Sequence, residues 1–225
     1  MVGIEAWMNE LTQRLKQSFG TRLLFLGLQG SYGRGEATEQ SDIDVVTILD
    51  TVQRSDLEVY RAEVRQMPSG DQACGFLCGK QELRGWPKYD LLQLVADTRP
   101  WYGALESLMP RFTRQDLIDA VRNGAANLYH AACHTYLYAE RTSWPVFLQA
   151  AQKSAFFVLR CWYQLQSGRS VRTRRALISV LEGDARQILE ADFFQEAGAE
   201  KCFEQLLHWS GSVLKELEPI ETEIP

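Results

Sequence analysis

Apolar side chains recur along this chain with two different periods, and the change between them divides it. Ile4, Trp7, Met8, Leu11 and Leu15 fall three or four residues apart. That spacing lines one face of an α-helix, and Gly20 is placed to end it. The next run, RLLFLGLQ over 22–29, is short and continuous, as in a buried strand. A second strand opens at Asp42 and continues through VVTIL (45–49), residues 55–66 return to helical spacing, and QACGFLCG (72–79) reads as a third strand. The stretch KQELRGWPKYDLLQLVADTRPWYG is ambiguous: Pro87 breaks it, and 89–96 fits either a helix or a strand.

From Thr113 onward only the helical period remains. Thr113 and Asp116 have the spacing of a capping box. Leu117, Ile118, Val121, Ala125, Leu128 and Ala132 then line one helical face. Ser143 and Pro145 suit the start of a second helix, whose stripe runs from Leu148 through Ala151, Ala155, Val158, Leu159 and Trp162 to Gly168. Two further helical stretches, 174–190 and 196–217, end at Pro219. The pattern predicts an α+β protein: an N-terminal mixed-sheet domain over 1–112, followed by a C-terminal α-helical bundle over 113–225. No internal repeat or low-complexity segment interrupts it.

Composition narrows the classes. The 225 residues are 45% hydrophobic and 24% charged with a net charge of −5, which is the profile of a globular protein. The negative balance lacks the positive footprint of a general nucleic-acid grip, so no nucleic-acid partner is expected. The N-terminal MVGIEAWMNELTQRL carries Glu5 and Glu10 and no unbroken apolar core, unlike a secretory leader. No run approaches the 18 apolar residues of a membrane span. Five cysteines, an odd number, do not suggest a disulfide framework. A cytoplasmic protein is expected, with room for a homodimer.

One segment asks for a chemical explanation. In GSYGRGEATEQSDIDVV (30–46), Asp42 and Asp44 stand one residue apart at the entrance to an apolar strand, where carboxylates are poor formers. Residues two apart on a strand share a face, roughly 6–7 Å from each other. At an effective dielectric near 20, two like charges at that distance repel by about 2.5 kcal/mol. A bound divalent cation turns the repulsion into attraction, and oxygen-only ligands favour magnesium or manganese over zinc. The preceding Gly30, Ser31, Gly33 and Gly35 form a glycine-rich turn at a strand end. Its amides and the Ser31 hydroxyl can receive phosphate oxygens, and Gly30 permits close approach. Arg34 could add a charged fork to a phosphate, or pair with Glu36. Other phosphate-binding loops fail: a P-loop ends in Gly-Lys-Ser/Thr, and no lysine lies between Lys16 and Lys80. The glycine spacing does not match the dinucleotide fingerprint either.

At these residues the chain resembles the nucleotidyltransferase superfamily that includes DNA polymerase β and the antibiotic nucleotidyltransferases. Its motif is Gly-Ser, about ten residues, then Asp-x-Asp; here it stands as Gly30-Ser31, ten residues, Asp42-Ile43-Asp44. The Arg34-Gly35 and Ser41-Asp42-Ile43-Asp44 pairings are close to the bacterial form. The match covers residues 22–49 directly, and the helical half resembles, by architecture alone, the bundle of kanamycin-type enzymes. The resemblance implies transfer of a nucleoside monophosphate, expected to be AMP, from ATP or another NTP to a hydroxyl. Two Mg²⁺ ions would be held by Asp42 and Asp44, and the nucleotide by Gly30, Ser31, Arg34 and Ser41. Lys153, on a bundle helix, matches the lysine that contacts the triphosphate in kanamycin-type enzymes.

The chain departs from the family at a third carboxylate, which members usually carry on the next strand. QACGFLCG has none; Asp71, just before it, is favoured, with Asp90 and Asp97 as later alternatives. His130, Cys133 and His134 share a helical face but lack a fourth ligand for zinc, and the arginines of GRSVRTRRA read as a solvated connection. The expected activity is Mg²⁺-dependent transfer to a small-molecule hydroxyl, with an aminoglycoside-like antibiotic as the analogue and the space between the two domains as its seat. The alternatives are a protein adenylyltransferase of antitoxin type and a non-catalytic nucleotide-binding protein.

Overall fold

The computed structural model describes residues 2–217, so the helix end expected at Pro219 lies outside the described residues. The chain forms two compact units, Met1–Arg111 and Phe112–Pro225. The first contains α1 (Ile4–Phe19), β1 (Leu23–Leu28), α2 (Gly30–Arg34), β2 (Ile43–Leu49), α3 (Arg54–Arg65), β3 (Ala73–Gly79), α4 (Lys80–Gly85), α5 (Lys88–Asp97) and β4 (Arg99–Tyr102). The second contains α6 (Arg114–Tyr138), α7 (Trp144–Ser167), α8 (Arg174–Ile178), α9 (Gly183–Glu190) and α10 (Glu196–Glu216). A mixed sheet followed by helices is the expected fold class.

The sheet order is β3-β2-β1-β4. β1 runs antiparallel to both β2 and β4, whereas β2 and β3 are parallel. The parallel pair needs a crossover, and α3 supplies it. One sheet face is closed by α1: Trp7, Met8, Leu11 and Leu15 pack with Leu23, Leu26, Leu28, Ile43, Val45 and Leu49. Because strand side chains alternate, Asp44, Val46 and Ile48 belong to the opposite face, which Phe25 and Phe76 share through the register.

Three details differ from the sequence expectation, and one open stretch is resolved. The glycine-rich segment after β1 is not a plain turn but a five-residue helix, α2, which Gly35 ends at φ 74°. Gly33 allows this because a Cβ there would lie 2.6 Å from the Leu28 carbonyl oxygen. Asp42 precedes β2 instead of opening it. The ambiguous stretch resolves into α4, α5 and the edge strand β4, with Pro87 as the N-cap of α5. The 174–190 stretch is two helices, because Gly183, at φ 55°, enters α9 in a conformation that a continuous right-handed helix does not hold.

In the second unit α6 begins as its capping box requires. The Thr113 hydroxyl accepts the Asp116 amide, and the Asp116 carboxylate accepts the Thr113 amide. α6 packs on α7 and α10. Val121, Ala125, Leu128 and Ala132 are buried, as are Leu148, Ala151, Ala155, Val158 and Leu159 of α7. Trp162, half-buried, meets Trp209 edge to face.

Candidate active site

Asp42 stands directly before β2, and Asp44 is the second residue of that strand. Asp42 is exposed, Asp44 is half-buried, and Ile43 between them is wholly buried on the other face. Ile43 faces the α1 side of the sheet, so alternation sets Asp44 on the opposite face. Across β2, the Gln29 amide donates to the Asp44 carbonyl at 2.8 Å and so joins the end of β1 to the acid pair.

Gly30 follows at once, and its lack of a side chain has a specific cause. Its φ is 64°, and a Cβ there would fall on the Asp44 carboxylate oxygen Oδ2. The space that any other residue would fill at position 30 belongs to Asp44. Gly30 is thus the residue that lets the second acid lie beside the start of α2. Ser31, half-buried, is next in α2, and first-turn amides of a helix have no intrahelical acceptor. Ser41 sits in the turn before the acids, where its hydroxyl accepts the Thr38 amide at 2.9 Å.

Arg34 takes a different place from the one a phosphate fork requires. Its Nη1 donates to both Asp97 oxygens, at 2.9 and 2.8 Å, and its Nε donates to Glu36 at 3.0 Å. Burial works against the Arg34 charge, but Asp97 and then Glu36 outweigh it and hold the guanidinium above its ordinary pKa. The arginine closes the loop internally. Asp97 also accepts the Gly30 amide, at 3.1 Å. Sequence reasoning named Asp97 as a spare third acid and missed this contact, because nothing in the spacing of residues 63 and 67 positions apart announces it.

Asp71 lies exposed in the short 3₁₀ turn Gly70–Gln72 ahead of β3. The β3 residue in register with Asp44 is Cys74, and Ala73 pairs with the buried Ile43. The strand alternation that would carry Asp71 with Ala73 and Gly75 runs on the face away from Asp44, so the pairing does not bring Asp71 to the acids. Among the described residues no group of three or more His, Cys, Asp or Glu side chains is placed to hold a metal ion. Cys74 is exposed. Asp90 is on α5, where burial pushes its carboxyl up and a hydrogen bond from Trp86 opposes the shift. Trp86 itself stands edge-on to Phe76, their ring centroids 5.2 Å apart. Lys153 is exposed on α7 of the second unit.

The donor set suits a hard divalent cation. Two carboxylates stand one residue apart, the donors are oxygens, and the second acid lies against Gly30 at the start of α2. Mg²⁺ is commonly held by one or two carboxylates, with substrate phosphates and water completing its octahedron.

Residues 8–114 match the family model described as nucleotidyltransferase domain. A protein of Methanocaldococcus jannaschii with the provisional name of a protein adenylyltransferase is 35% identical over 54 residues, or 24% of this chain and 37% of that one. The chain thus matches little more than a third of that relative's length. The crystal structure of spectinomycin adenyltransferase AAD(9) from Enterococcus faecialis, with ATP and spectinomycin, aligns over 96% of this chain and 99% of its own. Its TM-score of 0.54 at 13% identity makes it a likeness of fold. No described helix is long and apolar enough to cross a membrane. The Gly30-Ser31 and Asp42-Ile43-Asp44 elements both fall within residues 8–114, the part of the chain that matches the nucleotidyltransferase domain.

Proposed function

We propose that the protein transfers AMP from ATP to a hydroxyl of a small molecule in a Mg²⁺-dependent reaction. The observation that carries this reading is the Asp44 carboxylate lying in the side-chain space of Gly30 at the start of α2, with exposed Asp42 two residues before it. Asp42 and Asp44 would hold the cations, Ser31 would orient the outer phosphates, and Arg34 and Asp97 keep α2 in place, Asp97 accepting the Gly30 amide. The acceptor hydroxyl loses its proton to water, its oxygen forms a bond to the α-phosphorus, the bond from that phosphorus to the oxygen bridging to the β-phosphorus breaks, and pyrophosphate leaves. Bound divalent ions supply charge neutralisation on the triphosphate and on the attacking and leaving oxygens.

The solved structure of similar fold, with ATP and spectinomycin, supports a small-molecule acceptor, and the net charge of −5 suits a cationic one. The name of the archaeal relative supports a second reading, in which the acceptor is a protein hydroxyl. Labelled ATP and Mg²⁺, incubated with spectinomycin, other aminoglycosides, lincosamides and a panel of proteins, separates the two by where the label arrives. Asp42→Asn and Asp44→Asn should each lower the rate by more than roughly a hundredfold. A wild-type protein that binds Mg·ATP yet releases no pyrophosphate with any acceptor would leave a nucleotide-binding protein without catalysis.

A further inference from the structure

We propose that Asp97 is the positioning residue of the nucleotide site, clamping both ends of α2 from the last turn of α5. The proposal rests on the reading of α2 as the segment that orients the phosphates. Asp97 is only 4% exposed, and a buried carboxylate persists only where it is paired and hydrogen-bonded. Both end residues of α2 are among its partners. It accepts the amide of Gly30, the first, and receives two hydrogen bonds from Arg34, the last.

A helix of five residues cannot hold itself, since nucleation costs more than its few internal bonds return. Its orientation is therefore set by what grips it. Gln29, directly before α2, adds to the grip: its side-chain amide donates to the Leu94 carbonyl at 3.1 Å and to the Thr98 hydroxyl at 2.9 Å, on either side of Asp97. Gly30 is also the residue against which the Asp44 carboxylate lies. One buried acid thus sets both the direction of α2 and the surface beside the second acid of the pair. Arg34 acts here as a tether, through its bonds to Asp97 and Glu36.

Hydrogen exchange and kinetics on the full chain test the clamp with Asp97→Ala, Asp97→Asn and Arg34→Lys. Without any ligand, Asp97→Ala should speed amide exchange in the 29–36 segment roughly tenfold. In the same variant KM for Mg·ATP should rise roughly tenfold with a smaller change in kcat, the range expected when a supporting partner of a site is removed. Asp97→Asn keeps an acceptor for Gly30 and loses the charge, so it should fall between wild type and Asp97→Ala. Arg34→Lys keeps the charge without the fork and should behave like Asp97→Asn. Folded variants that melt at lower temperature but keep wild-type exchange in 29–36 and wild-type KM would overturn the proposal. Should Asp97→Ala not fold, the two conservative variants decide. Should the wild type neither bind nor turn over Mg·ATP, the functional reading fails while the exchange measurement still decides the clamp.

Discussion

Gly30 concentrates the logic of the site in one residue. Its left-handed φ disfavours a side chain by roughly 1–2 kcal/mol, but the larger consequence is local. The obstruction a Cβ meets is the far end of the Asp44 side chain, which can swing away at little cost to the fold. Gly30→Ala should therefore lose Mg·ATP-dependent activity by far more than its stability loss suggests. Melting temperature and turnover on the same preparation check this; equal activity with lowered stability would contradict it. The need for glycine followed from the motif, whereas the atom that demands it, on a strand fourteen positions away, did not. Cys74 makes the complementary case. Nothing in QACGFLCG singles it out, and only the parallel register places it beside Asp44.

Among elements, the start of β1, the end of β2 and the cap of α3 are joined by one cluster. Arg22 donates to Asp56 at 2.8 Å through each of two nitrogens and to Asp50 at 3.0 Å. Asp56 also closes the capping box of α3 through the Gln53 amide. Arg22 first, and that amide next, hold the Asp56 carboxyl down from 3.8 to about 2. Because the folded state binds this proton more weakly, the unfolded chain carries more protons between those values, and stability rises with pH across them. The contribution is fully present above about pH 4 and fades as pH falls towards 2. Asp56→Asn should flatten the urea midpoint over pH 2–4 relative to wild type; an unchanged acid limb would refute the coupling. Helix α6 shows how much an element can declare in sequence, since Thr113 and Asp116 marked its first turn and form the expected box. Helix α2 shows the reverse. Glycines at 30, 33 and 35 carry no helical signal, and the segment is helical because Asp97, Gln29 and the Leu28 carbonyl surround it.

On the scale of the whole molecule, a ligand that binds only the folded state raises its stability by an amount set by concentration over Kd, about 2.7 kcal/mol at a hundredfold excess. A nonhydrolysable ATP analogue with Mg²⁺ should accordingly raise the melting temperature of the N-terminal unit by roughly 10 °C. Neither partner alone, nor both with Asp44→Asn, should reproduce the shift. Calorimetry checks this without any acceptor, and an equal shift with nucleotide alone would argue against cations held by the acid pair.

What the chain determined by itself lies where local rules suffice. The two hydrophobic periods separate a sheet-bearing half from a helical one, and the sequence sets paired acids ten residues after Gly-Ser, where their repulsion favours a counter-charge. Tertiary structure decided what depends on partners distant in sequence. It spends Arg34 on Asp97 and Glu36, pairs Cys74 instead of an acid with Asp44, leaves Asp71 in a turn, and makes edge strand β4 from Arg99–Tyr102. The reason is physical: periodicity reports which face a side chain occupies, while register and buried pairing are settled only when separate segments compete for the same hydrogen bonds.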